Sequence, residues 1–132
     1  MFQPYYTTHF REVFGFEPDS TDGLGDESVQ TRLNQRGLWI PAALADYYSL
    51  LGYNRIAAQQ KRLRTIEELD WHENWLVFMD DDLGICSWGI HRRHLDDLDP
   101  VVWQGVHGEE MDWAPETSTV SQFLVEMWRE IV

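Results

Sequence analysis

Cysteine is nearly absent from this chain: Cys86 stands alone among 132 residues. No intrachain disulfide can form, and that pattern suits a reducing compartment. Long apolar runs are missing as well. No stretch approaches the ~20 residues that span a bilayer. The opening Met1-Phe2-Gln3-Pro4-Tyr5-Tyr6 has neither the basic segment nor the apolar run of a secretory leader. A cytoplasmic protein is the expectation. Basic residues are also few, with Lys and Arg numbering 10 against 23 Asp and Glu, for a formal net charge of −13. Phosphate backbones bind Lys and Arg that displace counterions, so no direct nucleic-acid binding is expected. An anionic membrane surface is disfavoured for the same reason.

Signatures of common enzymes are missing too. No G-x-S-x-G, P-loop, H-E-x-x-H or G-x-G-x-x-G occurs. Cys86 lies in an apolar strand pattern, where an inert thiol is the default. Glu67/Glu68 and Glu109/Glu110 are consecutive, so each pair points apart and forms no acid/base couple. Asp80, Asp81 and Asp82 offer the clustered carboxylates that hard cations take, but the EF-hand spacing is not there. A solvated acidic hairpin turn is the better reading. His91 and His94 are spaced for one helical turn, yet Arg92 and Arg93 would oppose a divalent ion and no third ligand follows from the spacing. The chain is expected to be no enzyme and to hold neither metal nor cofactor.

The charge that is present lies unevenly. Residues 1–66 balance, with Arg11, Arg32, Arg36, Arg55, Lys61, Arg62 and Arg64 set against seven acidic residues. Residues 67–132 hold only Arg92, Arg93 and Arg129 against sixteen Asp and Glu, so this half carries the whole net charge of −13. Six of the seven tryptophans (Trp71, Trp75, Trp88, Trp103, Trp113 and Trp128) lie there as well. Summed carboxylates steer a positive partner and tryptophan supplies contact area, so an acidic, aromatic half suits docking onto something basic. The same charge also serves plain solubility.

The whole chain, residues 1–132, reads as one domain with enough length for a real core, residues 1–37 being its least defined part. Thr7 or Thr8 is placed to cap a helix to about Phe14, with Phe10, Val13 and Phe14 on one face and Gly15 as its stop. Residues 17–28 read as a loop, because Pro and Gly interrupt regular structure. Pro41 suits the first turn of a second helix, whose stripe of Ala43, Leu44, Tyr47, Tyr48 and Leu51 ends at Gly52. Asn54 suits the cap of a further helix through about Lys61. Thr65 and Glu68 have capping-box spacing and predict a short helical turn before Trp71.

The period then changes. Residues 75–79 and 85–90 are short β-prone runs, joined by a hairpin turn at Asp80-Asp81-Asp82-Leu83-Gly84. Val101-Val102-Trp103 is a third strand and residues 110–113 a weak fourth. Val120, Phe123, Leu124, Met127, Trp128 and Ile131 repeat at helical spacing, with Ser118 as the cap. Helices, then strands, then a helix predict an α+β domain: a central, mostly antiparallel sheet of about four or more strands, flanked by helices.

Several of these segments also form an ordered set. Ile40-Pro41 opens a helix with Leu44, Tyr47, Tyr48 and a closing Leu51-Gly52, followed by a step from Leu63 to Glu67-Glu68-Leu69. Leu76-Val77-Phe78 precedes an acidic turn, and Trp88-Gly89-Ile90 is followed by Asp99-Pro100-Val101-Val102-Trp103 and a last helix with Phe123-Leu124 and Met127. Over about residues 38–131 this set resembles the SMI1/KNR4 (SUKH) superfamily. Where close relatives read Glu-Asn-Gln-Gly at the hairpin, this chain has Asp81-Asp82-Leu83-Gly84, so the amide-bearing positions are lost. The resemblance implies a SUKH-like α+β fold and a non-enzymatic binding role. Many bacterial members look like immunity proteins that bind a cognate toxin, often a nuclease; others act as regulatory hubs. It supplies neither catalytic nor contact residues.

The leading expectation is therefore an immunity protein that binds and neutralises a basic, nuclease-type bacterial toxin, its carboxylates taking the place of phosphates. The contact residues expected are Asp80, Asp81, Asp82, Asp96, Asp97, Asp99, Trp103, Glu109, Glu110, Asp112 and Trp113. A regulatory scaffold with an endogenous protein partner is the second reading. An enzyme or small-molecule binder is a third, and it calls for a deep pocket with convergent polar groups. Arg55, Lys61, Arg62 and Arg64 form either an exposed helix face or a patch for self-association with another copy's acidic half. Trp128 belongs to the core, at least one of Trp75 and Trp88 faces inward, and Trp103 and Trp113 are the better candidates for exposed anchors.

Overall fold

A computed structural model describes residues 1–53 and 61–131. The chain begins with three helices, α1 (Gln3–Phe14), α2 (Asp26–Arg36) and α3 (Ala42–Leu51). Strands β1 (Lys61–Leu63) and β2 (Asp70–His72) flank a 3-10 turn at Ile66–Glu68. Then come β3 (Trp75–Asp81), β4 (Cys86–His91), a second 3-10 turn at Arg92–His94, β5 (Val101–Val106), β6 (Asp112–Thr119) and α4 (Val120–Ile131). The fold is α+β. Strands β3 to β6 form an antiparallel meander, and β1 and β2 both pair antiparallel with the free edge of β3. The sheet is thus wholly antiparallel over the described residues and has six strands.

Local chemistry accounts for several element ends. Thr65 N–H donates to the Glu68 carboxylate at 3.1 Å, the reciprocal half of the expected capping box. Gly15 and Gly37 close α1 and α2 in the left-handed region, at φ 81° and 62°, where a side chain would be strained. The apolar stripe of α3 is buried as its spacing predicts. So are Val120, Phe123, Leu124, Met127 and Trp128 of α4, whereas Ile131 at its end is 40% exposed. Trp128 is the keystone of the helical layer. Its ring packs against Tyr6, Phe10, Phe14 and Tyr47, and its Nε1 donates to the Tyr47 hydroxyl at 3.1 Å. Burial pushes the Tyr47 phenol up to about 12 against a small opposing effect of that hydrogen bond.

Four sequence expectations are corrected. α1 begins at Gln3 rather than at Thr7 or Thr8, with Pro4 in its first turn. The loop stops at Gly25, and α2 follows where no helix is expected, because only Val29 and Leu33 of its eleven residues are buried apolar side chains. Ser118 is not the cap of α4: its hydroxyl donates to Glu126, and Asp99 takes the helix terminus instead. Lys61 lies in β1, not at the end of a helix, and residues 54–60 of that expected helix fall outside the described residues.

Candidate binding surface

Strand register sorts the sheet's side chains onto two faces, because paired residues project to the same side. Leu76 pairs with Ile90 and Met79 with Trp88, and all four belong to the core under the helices. A bulge at Phe78 adds one residue to β3, so Phe78 and Met79 both turn inward although they are consecutive. Trp88 and Phe78 pack on Phe123 of α4, which fixes this as the helix side. The intervening residues project the other way. Val77, Gly89, Trp103 and Pro115 share one cross-strand row, with Trp75 paired to His91 and Trp113 to Gly105 beside it. Among the described residues no helix covers this second face.

On that open face three tryptophans come together. The rings of Trp75 and Trp113 stack at 4.7 Å and 9°, and Trp103 meets Trp75 edge-on at 5.9 Å. His91 stands edge-on to Trp75 at 5.1 Å, and His72 lies beside Trp113. Gly105 makes room for this arrangement, since a Cβ there would lie 2.9 Å from Trp113 Cε3 and 2.6 Å from Met111 Cε. The three indoles are part-exposed, yet their N–H groups are shielded and have no acceptor among the described residues. Burial, followed by the charges of Arg93 and His94, lowers the pKa of His91.

The meander sends its acidic residues to opposite ends. The β3–β4 and β5–β6 turns lie at one end of the sheet, and the β4–β5 loop lies at the other. Asp81, Asp82, Glu109, Glu110 and Asp112 therefore gather at the first end, together with the exposed aliphatic side chains Leu83, Ile85 and Val106. Neither turn carries a lysine or arginine. Asp82, Glu109, Glu110 and Asp112 are exposed and make no hydrogen bond or ion pair among the described residues. Asp81 accepts from Ile85 N–H at 2.8 Å and so shapes the hairpin. Trp113 follows Asp112 directly, which joins this acidic end to the tryptophan face.

Two of the expected acidic contacts, Asp80 and Asp99, do other work. Asp80 is gripped by Arg64, with Nε and Nη2 at 2.6 and 3.0 Å, and accepts from the Ser87 hydroxyl at 2.8 Å. Burial raises its pKa, but Arg64 and Ser87 outweigh that and hold it below the usual carboxylate range. Asp99 caps α4 from outside the helix, accepting from Ser121 N–H at 2.9 Å and from the hydroxyls of Thr119 and Ser121 at 2.9 and 2.6 Å. Asp97 sits 3.2 Å from His94 at the far end of the sheet, next to exposed Asp96. Arg92 turns instead over the Trp71 ring at 4.5 Å.

The basic cluster is occupied within the chain, as far as it is described. Lys61 pairs with Glu130, Arg62 with Glu68 and Arg64 with Asp80. Lys61 and Arg62 lie in β1 and Arg64 directly follows it, so these are not a helix face, and Arg55 lies outside the described residues. His91 Nδ1 accepts from Arg93 N–H, and among the described residues no three His, Cys, Asp or Glu side chains converge as metal ligands. Hollows of 650 Å³ beside α2 and 610 Å³ beside α1 are open depressions. No helix among the described residues is long and apolar enough to cross a membrane. The chain matches no protein-family model, no curated protein and no solved structure.

Proposed function

We propose that this protein is a non-enzymatic binding domain that neutralises a basic, nuclease-type protein toxin in the manner of an immunity protein. The observation that carries the reading is the junction of an acidic, aliphatic sheet end with a tryptophan cluster on an uncovered face. Unpaired carboxylates accelerate encounter with a positive surface, and part-exposed tryptophans supply the desolvated contact area that dominates interface energies. Rule-breaking orphan donors in a surface cluster are the kind of local conflict that functional sites retain. The SUKH resemblance of the sequence supports the same reading.

The test is co-purification of the tagged protein from its host at low and high salt, with the captured partner mapped by cross-linking. A basic protein released by salt and cross-linked near Asp82, Glu110 or Trp113 supports the proposal. A neutral or acidic partner, or contacts confined to α1 and α2, overturns it in favour of a regulatory scaffold.

A further inference from the structure

One tryptophan stands apart from both the core and the open sheet face. Trp39 precedes α3 and is 67% exposed. Beside it Leu98, from the β4–β5 loop, is 54% exposed. Between them lies a hollow of about 230 Å³, floored by Ile40 and Pro41 and rimmed by Asp96 and Asp97. Drug-sized ligands occupy about 300–1,000 Å³, so this space fits a side chain or two rather than a metabolite.

The backbone of both walls is anchored. Ala43 N–H donates to Leu98 C=O at 2.9 Å and ties the loop to the first turn of α3. Leu38 N–H donates to Leu33 C=O at 3.0 Å, closing α2 immediately before Trp39. A preformed pocket binds without the entropy loss of ordering its walls. Its lining holds two carboxylates and no lysine or arginine, and among the described residues Asp96 has no partner. A solvent-exposed tryptophan beside an open hollow is the type of side chain that anchors interfaces.

We infer that this hollow is a second docking site, which takes an apolar side chain of a peptide segment flanked by lysine or arginine. The apolar chain fills the space between Trp39 and Leu98, and the flanking cations meet Asp96 and Asp97. The site lies at the opposite end of the sheet from the Asp82–Asp112 surface, so it serves a separate segment and does not depend on the toxin reading.

The test is an NMR titration of the isotope-labelled protein with a synthetic peptide of alternating leucine and lysine, and with its glutamate-for-lysine counterpart. The indole N–H signal of Trp39 and the amide of Leu98 are expected to shift saturably with the basic peptide only. Asp96→Asn with Asp97→Asn should weaken that binding by about tenfold, the sum expected from two partly screened ion pairs. Trp39→Ser and Leu98→Ser should each abolish it, while the rest of the spectrum shows that the fold is kept. D82N/E109Q/E110Q/D112N should leave it intact, which separates this site from the proposed toxin surface. Unmoved Trp39 and Leu98 signals, equal response to the acidic peptide, or unchanged affinity in D96N/D97N each overturn the inference.

Discussion

At the scale of single residues, chemically identical carboxylates have been given different tasks by their neighbours. Asp99 holds the amino end of α4 with three hydrogen bonds. Asp99→Ala should therefore cost about 1–2 kcal/mol in a denaturant melt, the range of a lost helix cap, with no change in partner association. Asp80 is held by Arg64 and Ser87 with its pKa depressed. A depressed folded-state pKa stabilises above the unfolded value of about 3.9 and is lost as pH falls through the folded value. The stability of D80N measured against pH should accordingly fall less steeply on the acid side than wild type. An identical acid limb in the two proteins would show that the Arg64 pair does not tune this carboxylate. Asp82, Glu109, Glu110 and Asp112, by contrast, are exposed and have no ion-pair partner among the described residues.

At the scale of elements, the open face depends on a glycine opposite a tryptophan. Gly105→Val would place side-chain atoms where the Trp113 ring now lies. It should break the Trp75–Trp113 stack and remove the exciton couplet that stacked indoles give in circular dichroism, while thermal unfolding stays cooperative. Retention of the couplet would mean that the stack survives without the glycine. Much of this level was legible in the sequence: the α3 stripe, the Thr65 capping box, both runs of the β3–β4 hairpin and the apolar face of α4. What escaped has physical causes. α2 has only two buried apolar side chains and carries its Asp and Glu in the first turn, so it lacks an apolar stripe and resembles a polar loop. β1 and β2 are three residues each and draw their pairing from β3 rather than from their own pattern. The bulge at Phe78 hides which face Trp75 takes, since it breaks the alternation that assigns faces.

At the scale of the molecule, the sequence's uneven charge becomes a division by sheet end. The acidic second half is not one surface. Its turns form an acidic end that is unpaired among the described residues, its long loop contributes Asp99 to a helix cap and Asp96 and Asp97 to the Trp39 hollow, and Asp80 is paired with Arg64 beside the sheet edge. Trp103 and Trp113, expected as anchors, do reach the open face, but Trp75 joins them and Trp88 takes the inward position. Nothing in local sequence marks Trp75 as their partner, because the stack forms between β3 and β6, which are not neighbours in the sheet.

The most direct test of the proposed surface is the association rate with a basic protein encoded beside this gene, measured by stopped flow at low and at high salt. Wild type should associate fast at low salt and slow steeply as salt rises. D82N/E109Q/E110Q/D112N should lose about tenfold or more of the low-salt rate and most of the salt dependence. Equal rates and equal salt dependence for the two proteins would contradict the assignment of the acidic turn end as the surface that meets the partner.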